Sequence, residues 1–121
     1  MKTDPMHAIP FSVHVAPLAE GGTEVAVFGE LDAASAPRMQ ESLEEAVEHP
    51  GEVVIDMRAC AFIDSMGIAV IAGAAARLRE EGRHLVLRGV GGRALRTLTI
   101  AGLASGPAVT IEPQEPPSKD S

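Results

Sequence analysis

Apolar and polar positions alternate where the patterned part of the chain begins. Phe11, Val13 and Val15 are separated by Ser12 and His14, and Val25, Val27 and Leu31 resume the pattern after Glu20-Gly21-Gly22. A period of two belongs to a strand with one covered face, and a Gly-Gly pair between two such runs marks a turn, so this segment predicts an antiparallel hairpin. The period then changes. Met39, Leu43, Ala46 and Val47 recur at helical spacing behind Ser35, a good N-cap, and Pro37, which a first turn tolerates, until Pro50-Gly51 stops the run. Glu41, Glu44, Glu45 and Glu48 fall on the outer side of that helix. Glu52 to Met57 contains the unbroken block Val53-Val54-Ile55, the signature of a covered strand with neighbours on both sides, and predicts the centre of a sheet.

Beyond Ala61-Phe62-Ile63, either Asp64 or Ser65 can cap a second helix, with Ile68, Ile71, Ala72, Ala75 and Leu78 inward and an end near Glu81-Gly82. Its many alanines and glycines predict close packing on the sheet. Leu85-Val86-Leu87 reads as a short strand, Gly92 to Ala101 as a helix with Leu95 and Leu98 inward and Gly102 as its stop, and Ala108 to Ile111 as a last strand. Strands alternating with helices after a hairpin predict an α/β fold: one mixed sheet opened by the antiparallel pair, with packed helices. Residues 1–10 and 112–121 lack periodicity, and the second stretch sets Pro113, Pro116 and Pro117 among charges and serines, so both read as tails around a domain at 11–111.

Composition narrows the function. The chain has 121 residues, 45% hydrophobic and 22% charged, which suits a single domain with one core. Seventeen acids against ten bases give a net charge of -7, the opposite of a phosphate-neutralising field, so nucleic acid is not an expected partner. The charge is also polarised: 1–64 carries -9 and 65–121 carries +2, with six arginines between Arg77 and Arg96. The longest small or apolar stretch, Met66 to Ala76, falls short of the roughly 18 to 20 residues that span a bilayer, and 1–10 lacks a secretion signal. A cytoplasmic protein without a membrane partner is the expectation. Cys60 is the only cysteine, and the four histidines are scattered without an i, i+4 pair, so neither a disulfide nor a metal site is expected.

Three local patterns invite chemistry. Ser65 opens a helix after a strand, but the nucleophile elbow of a hydrolase needs glycine two residues earlier, where Ile63 stands. Gly89-Val90-Gly91-Gly92-Arg93-Ala94 fits the relaxed dinucleotide fingerprint, yet too little chain follows to complete such a site; glycines for a tight strand-to-helix turn explain it better. Glu30 and Asp32, with Asp64 before the next helix, read as turn and cap carboxylates before they read as an acid/base pair.

Taken together, Phe28-Gly29-Glu30-Leu31-Asp32, Ser35-Ala36-Pro37-Arg38 at a helix start, and Val54-Ile55-Asp56-Met57 leading through Phe62-Ile63-Asp64-Ser65-Met66-Gly67-Ile68 resemble the STAS domain of bacterial anti-sigma factor antagonists. Arg93-Ala94-Leu95-Arg96-Thr97-Leu98 with Ile100-Ala101-Gly102-Leu103 is similar to that family's third helix and the Gly-Leu after it. The resemblance implies a single STAS-like domain that is not an enzyme and takes no cofactor. It implies a partner-switching regulator, one that binds an anti-sigma factor which is also an ATP-dependent serine kinase, and so frees a sigma factor for transcription. By the same resemblance Ser65 is the phosphate acceptor, a metal-dependent serine phosphatase reverses the modification, and Asp32, Asp64, Ser65, Met66 and Gly67 lie in the partner surface. Two departures stand out: Met66, where the family often has Ser, Thr or Ala, and the absence of the family's final helix from the proline-rich end. They keep a second reading open, a STAS scaffold without phosphorylation in a stress-signalling or membrane-transport assembly.

Overall fold

A computed structural model of the chain describes residues 10–103, 106 and 108–114. Five strands and three helices alternate in the order β1 (Ser12–Pro17), β2 (Thr23–Leu31), α1 (Ala36–Glu48), β3 (Val53–Ile63), α2 (Ser65–Glu80), β4 (Leu85–Val90), α3 (Gly92–Ile100) and β5 (Val109–Pro113). The strands lie side by side in chain order. β1 runs antiparallel to β2, with Val13 opposite Val27 and Val15 opposite Val25, and every later pairing is parallel. This is the mixed α/β sheet that the hydrophobic pattern predicts, with β3 at its centre.

One face of the sheet carries the core. Val25, Val27 and Leu31 of β2, Val53, Ile55 and Met57 of β3, and Leu85 and Leu87 of β4 alternate inward and meet Met39, Leu43, Ala46 and Val47 of α1, Ile71 and Leu78 of α2, and Leu98 of α3 in a single cluster. The residues between them on the strands form the other face. There Asp56 holds Arg58 with a bond of 2.7 Å, and Arg88 of β4 meets Glu112 of β5 at 3.1 Å. Arg58 holds the Asp56 carboxyl below the usual carboxylate range, so this bridge stabilises the sheet above pH of about 4 and weakens under acid.

Several boundaries differ from the sequence reading. β3 does not stop near Met57 but continues to Ile63 through two irregularities, because Met57 and Arg58 together oppose Val27, and Ala61 is extra between the pairs Gly29 with Cys60 and Glu30 with Phe62. β4 pairs with β3 only as far as Asp56 with Arg88, so the bulged half of β3 is bonded to β2 alone. At the other end, the proposed tail from Glu112 starts too early: Glu112 pairs with Arg88, Pro113 with Val90, and the Gln114 N–H donates to the Val90 carbonyl. Proline is tolerated there because β5 lies at the sheet edge. The expected absence of the family's final helix concerns residues 115–121, which lie outside the described residues.

The small residues of α2 divide between close packing, at Gly67 and Ala75, and the outer side of the helix. Ile71, Ala75 and Leu78 are buried, whereas Ala69, Gly73 and Ala76 face outward. Gly67 is the residue that needs to be small: a Cβ there would stand 2.7 Å from Leu31 Cγ and 2.9 Å from the Leu31 carbonyl oxygen. Gly89 is likewise required, not by a turn to α3 but inside β4, where it sits at φ +72° and a Cβ would meet Arg58 Cγ.

Candidate functional site

β2 and β3 are parallel neighbours that end in register, with Leu31 opposite Ile63, so the turns that follow them lie side by side at the carboxyl edge of the sheet. The Asp64 N–H donates to the Leu31 carbonyl at 3.1 Å and ties the two turns together. Asp32 and Asp64 therefore occupy equivalent places on adjacent strands. This edge is where open α/β sheets commonly place a binding site.

In the first turn Asp32 accepts from the N–H groups of Ala34, at 3.1 Å, and Ser35, at 3.2 Å. Ser35 does not cap α1 with its side chain. Its hydroxyl turns back, donating to the Glu30 carbonyl at 2.8 Å and accepting from the Asp32 N–H at 2.9 Å. With 5% of its surface exposed, Ser35 is fixed inside the turn. The pairing of Glu30 with Asp32 is thus no acid/base site: Asp32 serves the turn, and Glu30 points outward.

In the second turn Asp64 is the cap and Ser65 is the first helical residue. One carboxylate oxygen of Asp64 accepts from Met66 N at 2.9 Å and Gly67 N at 3.1 Å, and the Asp64 carbonyl accepts from Ile68 N at 3.0 Å. Of the four N–H groups that begin a helix, only that of Ser65 itself lacks a partner among the described residues. Ser65 is exposed, and its hydroxyl has no partner among the described residues either. Next in the chain Met66 is 51% exposed, and Phe62 at the end of β3 is 40% exposed, two large apolar side chains open to solvent near this edge. Gly67 is buried beneath Leu31, where the missing side chain lets α2 approach β2 closely.

Sequence reasoning did not single out Phe62 or Arg93. Phe62 alternates with the buried Ile63 and so must face away from the core, and that alternation was the available signal. Arg93, Ala94 and Thr97 of α3 line a small cavity with Phe62 and Ile63, which brings a basic residue to the same edge. Burial raises the Cys60 thiol above its ordinary value, which suits a packing residue more than a nucleophile. Among the described residues no group of three His, Cys, Asp or Glu side chains is placed to hold a metal, and no helix is long and apolar enough to cross a membrane.

Comparison with known proteins gives this edge a family. A family model described as "Mlab, STAS domain" matches residues 16–111. The chain belongs to the STAS domain family. An anti-sigma-B factor antagonist of Listeria monocytogenes is 38% identical over 82 residues, covering 67% of this chain and 72% of the relative. The anti-sigma-B factor antagonist of Bacillus subtilis is 30% identical over 84 residues, 69% of this chain and 77% of that one. Among solved structures, an anti-sigma factor antagonist from Mycobacterium paratuberculosis superposes with a TM-score of 0.72 at 27% identity, covering 93% of this chain and 92% of that one. The STAS resemblance read from the Gly29-Glu30-Leu31-Asp32 and Asp64-Ser65-Met66-Gly67 segments is therefore correct, and the relatives carry the names of regulators rather than of enzymes.

Proposed function

We propose that this STAS protein is a cytoplasmic anti-sigma factor antagonist: it binds a serine-kinase anti-sigma factor, releases the sigma factor for transcription, and is switched off when that kinase phosphorylates Ser65. A serine phosphatase acting on phospho-Ser65 restores it. The protein acts by binding and takes no cofactor, and neither nucleic acid nor a membrane is its partner. The names of the relatives support the anti-sigma partner. The observation that carries the switch is the free, exposed hydroxyl of Ser65 beside a carboxylate already committed to the helix cap.

That commitment decides how a phosphate would act. Met66 N and Gly67 N are taken by Asp64, so the phosphate meets only the Ser65 N–H and the diffuse positive end of α2, worth about 0.3 to 1 kcal/mol. Its charge of about -1.5 to -2 stays at the surface next to Asp64. At about 6 Å and an effective dielectric near 20 the two repel by roughly 5.5 kcal/mol before salt, which screening cuts severalfold. The added charge changes the surface that a partner meets at the start of α2 without requiring a new fold.

The test is incubation with the partner kinase and ATP, followed by mass spectrometry. One phosphate on Ser65, absent from Ser65→Ala, is the expected result. In calorimetry Ser65→Ala keeps the affinity for the anti-sigma factor, and Ser65→Asp lowers it about a hundredfold, or about 2.8 kcal/mol. Phosphate on another residue, or equal affinity of the two variants, overturns the reading; a stable complex indifferent to Ser65→Asp would support the scaffold alternative.

A further inference from the structure

α1 and α2 pack against each other over the core, yet their outer edges diverge into a groove of about 420 Å³. Its floor is apolar, with Leu43 and Val47 from α1 and Met66, Val70 and Ala74 from α2. Met66 belongs both to the groove and to the exposed pair near the carboxyl edge, so the groove continues the candidate site along α2. The rim on the α1 side is acidic. Glu44 lines the groove, accepting from Gln40 Nε2 at 3.1 Å, and Glu48 follows one turn later on the exposed side of α1; neither forms an ion pair among the described residues. The one cation among the groove residues, Arg77, is matched by Glu81 at 3.5 Å.

We propose that this groove receives a cationic amphipathic helix of the anti-sigma partner, its apolar side on Met66, Val70 and Ala74 above the buried Leu43 and Val47, and its basic side over Glu44 and Glu48. The proposal rests on the reading of the Ser65 surface as a partner surface. Charge complementarity selects a basic occupant. The walls select a helix: both are α-helices whose backbone groups are already bonded, so an extended segment laid between them would bury N–H and carbonyl groups without partners, whereas a helix satisfies its own. The length agrees, because the stretch of α2 from Met66 to Arg77 rises roughly 16 Å and matches about three turns of an incoming helix. Ala69, Gly73 and Ala74 keep that wall low enough for close approach.

Gly73 provides the test. A Cβ there meets nothing within 4 Å, so Gly73→Gln fills the groove without disturbing the core, and glutamine is the better helix former. The probe is a synthetic leucine-lysine helix with leucines at i, i+3, i+4 and i+7, against a second peptide in which glutamate replaces every lysine. Anisotropy titration and amide chemical-shift mapping of the whole chain are the readouts. The expected result is shifts at Leu43, Val47, Val70 and Ala74, at least tenfold weaker binding to Gly73→Gln and to the Glu44→Lys, Glu48→Lys double variant, and at least tenfold weaker binding of the glutamate peptide. Shifts centred elsewhere, equal affinity of the two peptides, or an unchanged affinity of Gly73→Gln overturns the proposal. Self-association of the chain that Gly73→Gln abolishes also overturns it and assigns the groove to a second copy. Kinase labelling of Ser65 in the unsubstituted chain reads the switch by itself: phosphate on Ser65 without peptide binding in the groove overturns the groove alone, and absence of phosphate on Ser65 overturns the switch.

Discussion

The two turns at the carboxyl edge of the sheet are built from the same residue types and put their serines to opposite uses. After β2 the order is Asp32 then Ser35, three residues apart; after β3 it is Asp64 then Ser65, directly adjacent. The longer spacing folds Ser35 back over the turn, where its hydroxyl is saturated by Glu30 and Asp32. The adjacent spacing leaves Asp64 to cap the helix by itself and turns Ser65 outward. A serine that completes a turn is unavailable to an enzyme, and one displaced from capping by its neighbour is free. Spacing from the aspartate, more than the presence of a serine at a helix start, separates the structural residue from the candidate switch.

The largest stability effect should come from the packing that holds the second turn against the first. Gly67→Ala pushes a methyl into Leu31 and its carbonyl and should cost about 1 to 3 kcal/mol in denaturant unfolding, even after the gain in helix propensity. Gly73→Ala, six residues along the same helix with open space around it, should stabilise by about 0.5 to 1 kcal/mol. Equal effects at the two positions would mean that the turns are not locked through Leu31.

Next in size is the contrast between the serines themselves. Ser35→Ala strips the Asp32 N–H and the Glu30 carbonyl of a partner in a nearly closed turn and should cost about 1 to 2 kcal/mol. Asp64→Ala removes the acceptor of two helix N–H groups and should cost about 1 kcal/mol, read by the same unfolding curves. If Asp64→Ala costs nothing, Ser65 is able to cap α2 in its place, and the distinction between the two turns fails.

Much of this architecture was legible in the chain. The period-two runs at Val13 to Leu31, the helical spacing of Met39 to Val47 and the apolar block at Val53 gave the order of elements, because each reports local burial that one face of a sheet then realises. The family was legible too, through Asp64-Ser65-Met66-Gly67 and its companion segments. Two kinds of feature were not. The continuation of β3 beyond Met57 runs through irregularities opposite Val27 and between Gly29 and Glu30, and a bulge breaks the very alternation by which a strand is recognised. Whether the alanines of α2 face the sheet or a groove depends on how α1 and α2 pack against each other, which no periodicity encodes.

The smallest predicted effect is the most discriminating. Ser65→Ala should change folding stability by less than about 0.5 kcal/mol, since the exposed hydroxyl bonds to nothing among the described residues. Ser65→Asp, and the phosphorylated protein, should stay within about 1 kcal/mol: attraction to the start of α2 offsets part of the repulsion from Asp64, and both groups face solvent that screens them. The same substitution is expected to weaken partner binding about a hundredfold. A switch that acted by loosening the fold would couple the two quantities, and unfolding curves of Ser65→Asp shifted by about 2 kcal/mol or more would reveal it. Unchanged curves with lost affinity place the whole effect at the surface, which is what a carboxylate already occupying the helix cap leaves for a phosphate to do.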